Sequence, residues 1–305
     1  MNDEATLTRN TLVFTAYTTV SAAVFSESLH NLVRLGLSST TYSYVLAVPF
    51  ISLVLVLRQK KQIFRYRSLI TVRTVAFLIF IVSATWLIRC CGWLWGNVNN
   101  SLMFYAVLLT ASILLGFRIS YGAPAFRAGR FPLVFLFVIA PPPEFLMDKV
   151  IRVLQVASAQ LTYWIFVLTG TPVFRVGTRL AVPGVTIEVA PECSGIRSTV
   201  AVLITCLIAG YLLLRTPLSR GILLLAALPV VVIKNGIRIA ALTLLSIHVD
   251  PSFLTGRLHR EGGFLFFGVG LLILLPVLRW RRRAESGASA IAARRLDTLS
   301  EPSAR

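Results

Sequence analysis

Long apolar runs recur from one end of this chain to the other, and they constrain it more than any other feature. Their cores fall at about 11–29, 43–57, 71–91, 102–117, 131–140, 196–214, 221–241 and 262–278. A helix rises 1.5 Å per residue and a bilayer core is about 30 Å thick, so most of these runs can cross it. The run at 131–140 is too short alone and ends in Pro141-Pro142-Pro143, which cannot continue a helix. It either borrows flanking residues or forms a re-entrant segment buried in protein. Composition agrees: of 305 residues, 56% are hydrophobic and 14% charged, against about 25% charged in a soluble domain. That balance excludes a disordered chain. Four Cys in this length exclude a small disulfide-stapled secreted domain. The N-terminal MNDEATLTRN is not basic and precedes no small-residue cleavage site, so the first run does not read as a signal peptide.

The formal net charge is +18, which in a soluble protein would suggest nucleic acid. Here the basic residues lie between apolar runs, where the positive-inside rule makes them markers of the cytoplasmic side. The loop RQKKQIFRYR at 58–67, the loop with Arg118, Arg127 and Arg130, the pair Arg215 and Arg220, and the run RWRRR at 279–283 all vote for the cytoplasm. The loop GWLWGNVNN at 92–100 carries no charge and reads as external. Eight crossings make the votes agree and put both termini inside. The fold class is therefore an all-α integral membrane protein, a polytopic bundle of about eight transmembrane helices. Residues 1–278 form a single polytopic membrane domain, and 279–305 a basic, disordered cytoplasmic tail. The stretch 141–194 is external on this map. Its first part, with Asp148, Lys149 and Arg152, is either a helix lying in the interface or a helix packed on the bundle. Its second part holds two alternating β-rich segments, FRVGT at 174–178 and TIEVA at 186–190, with Val182-Pro183-Gly184 between them, read as a small extracytoplasmic β-hairpin.

Polar and ionisable groups at membrane depth are costly and are therefore functional candidates. Cys193 stands in Pro191-Glu192-Cys193-Ser194-Gly195-Ile196-Arg197, at the outer mouth of the sixth run. Ser194 is placed to cap the following helix, whose free N–H groups would favour a thiolate or hold an oxyanion. Gly195 would let a substrate backbone approach. A small apolar Cys packed in a membrane helix is the simpler alternative. Cys206 lies about 20 Å further along that helix, too far for a disulfide, and Cys90 and Cys91 read as packing residues. Arg238 lies near the same outer boundary, flanked by Ile237 and Ile239; it either snorkels or meets an anion such as a substrate carboxylate, an oxyanion or Glu192. Snorkelling suits Lys234, one turn deeper, better; Asn235 is placed to donate to the site. His259, followed by a Gly pair, reads as a solvated loop residue or as a base, with His248 the runner-up. Cys and His together make a nucleophile and base, and Arg supplies anion-binding charge. No cluster has metal-ligand spacing and no phosphate-cradling loop is present, so no cofactor is expected.

The segments ECSGIR at 192–197, NGIRI at 235–239 and HREGG at 259–263 together resemble the exosortase/archaeosortase family of integral-membrane cysteine transpeptidases. FPLVFLFVIAPPP at 131–143 and the segment 41–61 add weaker matches, so that the resemblance covers most of 41–278. It implies about eight membrane helices and an active site at the extracytoplasmic face of the inner membrane. Cys193 would be the nucleophile, His259 the general acid/base and Arg238 the stabilising cation, with Glu192, Ser194, Gly195 and Asn235 as substrate-binding neighbours. The implied partners are exported proteins whose C-terminal sorting tail has a short motif such as Pro-Glu-Pro, a transmembrane helix and a basic cluster. The reaction passes through a thioester. Two other classes are the alternatives. A transporter would carry polar residues through the full membrane depth, and an exopolysaccharide-assembly protein would not need Cys193.

Overall fold

The computed structural model describes residues 3–65, 72–90, 98–254, 256 and 262–300. Helices dominate because a backbone in lipid must satisfy its own hydrogen bonds, which an apolar helix does within one segment. The chain divides into two compact units, residues 1–147 and 148–305.

The first unit contains α1 (Asp3–Val24), α2 (Ser26–Ser38), α3 (Tyr44–Arg58), α4 (Lys60–Ile63), α5 (Val72–Cys90), α6 (Val98–Ala128) and α7 (Arg130–Phe135) with its 3-10 extension Leu136–Ile139. Small and polar residues let α1 meet α6 closely. The Tyr17 ring lies where a side chain on Gly116 would be, and the Tyr17 hydroxyl reaches the Ser112 hydroxyl at 2.6 Å. Around Ile63, Phe117, Tyr121 and Leu133 an aromatic and aliphatic core closes the unit. The Ser52 hydroxyl on α3 donates to the Pro132 carbonyl at 2.7 Å and pins α7.

In the second unit, α8 (Glu144–Leu168) leads into a sheet of β1 (Phe174–Val176), β2 (Arg179–Val182) and β3 (Val185–Glu188). A 3-10 turn, Pro191–Ser194, then opens α9 (Ile196–Leu213), followed by α10 (Pro217–His248), the 3-10 turn Pro251–Leu254 and α11 (Gly263–Ser300). The sheet is antiparallel in the order β1-β2-β3, with Leu180 opposite Ile187 and Val182 opposite Val185. Those residues form its inner face, packed on Ala159 and Phe166 of α8 and on Ile239 and Ala240 of α10. Thus α10 is the central helix, in contact with both α9 and α11.

Among the described residues five helices are long and apolar enough to cross a membrane: Asn100–Ala128, Glu144–Leu168, Ile196–Leu213, Pro217–His248 and Gly263–Gly287. The pair Thr6–Val24 and Ser26–Ser38, bent by 77°, makes a sixth if it is one span. The chain is thus an all-α polytopic membrane protein, and its described residues give fewer spans than the eight expected. The runs at 43–57 and 131–140 give only the short helices Tyr44–Arg58 and Arg130–Ile139, and the run at 71–91 contributes the apolar stretch Thr74–Ala84. Three further expectations change. The stretch read as wholly external begins with a 25-residue helix of spanning length. The two expected strands do not pair with each other: β2 lies between them, because Gly177 at φ +62° turns β1 onto β2 and Gly184 at φ +81° turns β2 onto β3. The last helix continues to Ser300, through the stretch expected to be disordered from 279. The Glu285 carboxylate anchors this extension, accepting from the Arg215 and Thr216 backbone N–H groups at 2.8 Å each.

Candidate active site

Cys193 sits in the 3-10 turn between the sheet and α9, and the local sequence dictates that turn. Pro191 stands at its first position, and Gly195 reverses the chain at φ +78°, a left-handed conformation that other residues adopt only at a cost. Helix α9 starts immediately after, with Gly195 as its N-cap and no side-chain cap. Ser194, expected to be the cap, is buried inside the turn, and its hydroxyl accepts from the Ile196 N–H that opens α9, at 3.4 Å. The Gly195 carbonyl takes over the anchoring role, accepting from the Thr199 N–H, the Thr199 hydroxyl and the Ser198 hydroxyl, each at 2.9 Å.

Helix α10 clamps this turn from the side. The Asn235 amide donates to the Cys193 carbonyl at 3.0 Å and to the Ser158 hydroxyl of α8 at 2.9 Å. A side chain on Gly195 would meet Asn235 Oδ1 at 2.8 Å, so this glycine is required by the approach of Asn235 as well as by its backbone angle. Lys234 is 1% exposed and donates to the Ser198 hydroxyl, while its stem packs where Gly270 of α11 leaves room. It does not snorkel, because α9 and α11 close over it. Ser158, Thr162 and Leu161 pack α8 onto Asn235 and Gly236, with the Thr162 hydroxyl 3.4 Å from the Gly236 carbonyl.

Cys193 and Arg238 line one cavity of about 250 Å³, together with Thr186, Ile187 and Glu188 of β3, Val189 after it, Ile239, Leu242, Thr243 and Leu254. The Arg238 guanidinium is close enough to the Cys193 sulfur for the two to interact electrostatically. The Cys193 N–H is engaged by the Ala190 carbonyl at 2.9 Å. Cys206 is buried within α9 and is not joined to Cys193.

Ser194, Gly195 and Asn235, expected beside the substrate, are buried under the turn and do not line the cavity. The Glu192 side chain and His259 lie outside the described residues, as does Cys91; nothing is described of the Cys90 side chain. His248 is exposed at the end of α10. Among the described residues no three His, Cys, Asp or Glu gather as a metal-ligand set. Sequence reasoning missed Ser158, whose signal was the Ser158/Thr162 spacing of four on an otherwise apolar helix face. It also missed β3 as a cavity wall, which no local pattern encodes.

These features define a multi-pass membrane protein with a cysteine and an arginine facing one pocket. A family model described as transmembrane exosortase matches residues 36–276, and the chain belongs to that family of membrane protein-sorting enzymes. No curated protein and no solved structure matches the chain.

Proposed function

We propose that this chain is a membrane cysteine peptidase/transpeptidase. It cleaves the C-terminal sorting tail of exported proteins at the extracytoplasmic face of the inner membrane. The observation that carries the reading is the shared cavity. Cys193 before α9 and Arg238 on α10 come from separate stretches of sequence and face one space. Family membership supports the sorting role.

In this reading the Cys193 thiolate attacks the scissile carbonyl carbon, with the Arg238 guanidinium supplying positive charge beside it. A C–S bond forms and the carbonyl electrons move onto oxygen, where Arg238 donates to the oxyanion. Collapse breaks the C–N bond. His259, assigned from the sequence resemblance, gives the departing amine its proton and leaves an acyl-thioester on Cys193. Water or an acceptor amine then attacks the thioester carbon, passes its proton to His259 and releases the thiolate. Asn235 holds the Cys193 carbonyl and so positions the nucleophile.

The test is cleavage of a tail-bearing reporter at equal membrane expression. Cys193→Ala membranes should accumulate uncleaved reporter. Arg238→Lys keeps the charge but loses the planar fork of donors, and should slow cleavage by about 10²-fold, the scale of losing one oxyanion donor. Normal processing by Cys193→Ala would end the reading.

A further inference from the structure

We propose that the open edge of β3 is the substrate-docking element. The stretch of target chain beside the scissile bond binds as an extended fourth strand along residues 186–188, and this pairing delivers its carbonyl to Cys193. The inference rests on the peptidase reading and specifies how that site holds its substrate.

Hydrogen-bond parity identifies the edge. In an antiparallel pair, residues alternate between those bonded to the neighbouring strand and those pointing away. The Val189 N–H donates to the Thr178 carbonyl at 3.0 Å, and the register places Ile187 opposite Leu180 and Val185 opposite Val182. Residues 185, 187 and 189 therefore bond towards β2, and the main-chain groups of Thr186 and Glu188 point the other way. Strand β3 ends the sheet order, so that side has no neighbouring strand. Among the described residues the Thr186 N–H and carbonyl have no partner, whereas the Glu188 carbonyl accepts from Ala190 N at 2.9 Å and ends the edge there.

Location says what the edge is for. Residues 186–189 form one wall of the cavity whose other lining includes Cys193 and Arg238. A peptide paired to this wall is already inside the space where the thiol and guanidinium lie. An unpaired edge is normally an aggregation liability, and its retention beside a reactive thiol matches strand addition, in which main-chain bonds supply affinity. Alternate side chains of the added strand would meet Ile239, Leu242, Thr243 and Leu254. The partner chemistry is therefore an extended polypeptide backbone, with apolar to small side chains at every second position.

The experiment uses full-length enzyme in membranes and reporter tails carrying one N-methyl residue at successive positions next to the cut. Wild-type enzyme should show one sensitive position, the residue whose N–H meets the free Thr186 carbonyl, and should tolerate methylation at the residues on either side, whose N–H groups face away from β3. Thr186→Pro removes the outward N–H while sparing the bonds to β2. It should lower kcat/KM by about tenfold, the scale of a lost hydrogen bond with its carbonyl left unpaired. Thr186→Val keeps that N–H and should stay within about twofold. A flat N-methyl scan with an active wild type, abolished by Cys193→Ala, would overturn strand docking and leave the peptidase reading standing. Cleavage undiminished in Cys193→Ala would overturn both.

Discussion

Gly195 joins two constraints at one atom. Its φ of +78° costs a residue with a side chain about 1 kcal/mol, and a methyl group there would meet Asn235 Oδ1 at 2.8 Å. We therefore expect Gly195→Ala to abolish reporter cleavage and to lower unfolding stability in detergent by about 2 kcal/mol; wild-type turnover in a fully folded Gly195→Ala protein would contradict the clamp. Lys234 makes the opposite case, since its ammonium is buried against a hydroxyl. Replacing a buried charge by an apolar residue of similar length is often neutral or stabilising, whereas truncation leaves a void. Lys234→Met should accordingly unfold at or above the wild-type temperature, and Lys234→Ala should lose about 2–4 kcal/mol; equal losses in both would mean the ammonium itself holds the fold. At this scale Cys193 and Arg238 were legible in the sequence because charge and thiol chemistry stand out in apolar surroundings. The work of Gly195 and Lys234 was not legible. Whether a side chain caps, clears space or is enclosed depends on neighbours 36 to 42 residues away, as in the Lys234–Ser198 and Asn235–Cys193 contacts.

Among the elements, α8 shows how hydropathy reading loses a helix. Asp148, Lys149 and Arg152 lie in its second and third turns and suggest an interfacial face, while the apolar stretch that follows gives it spanning length. The sheet was half legible. The segments of β1 and β3 alternate visibly and Pro183-Gly184 announces a turn, with Gly184 at φ +81°, but β2 between them was missed, because its residues Arg179–Val182 were taken into the connection. Family membership was legible because its motifs are local runs of residues, and the matched stretch 36–276 nearly coincides with the resemblance drawn from sequence. At the other end of α9, Glu285 reaches from α11 to the connection before α10, accepting from two backbone N–H groups and, at 2.6 Å, from the Thr216 hydroxyl. Glu285→Ala should free that connection, costing about 1 kcal/mol as for a lost cap. The effect is best read as faster tryptic cleavage after Arg215 in detergent-solubilised protein; an unchanged cleavage rate would show that the connection is held by other contacts.

For the molecule as a whole, the count of spans changes while its parity need not. If the short helix Arg130–Ile139 is re-entrant and Glu144–Leu168 crosses in its place, one crossing substitutes for another. Residues from 169 to Cys193 then keep the side that the loop charges gave them, and residues 141–143 move to the cytoplasmic side. Single-Cys labelling with an impermeant thiol reagent distinguishes the two maps. A Cys at Thr171 should label from outside and one at Pro142 only after the inner face is opened, whereas labelling of both from outside would restore the earlier map. The hold that α10 keeps on the Cys193 carbonyl reaches further. The coordinates of the thiol are inherited from three separate stretches: the turn that bears it, the Asn235 that grips it and the Ser158 that steadies Asn235. Residues 191–197 are therefore not a transplantable cassette. Moved alone to another membrane helix they would carry the sulfur without its address, and a reactive enzyme built on this scaffold must keep all three stretches as one unit of descent.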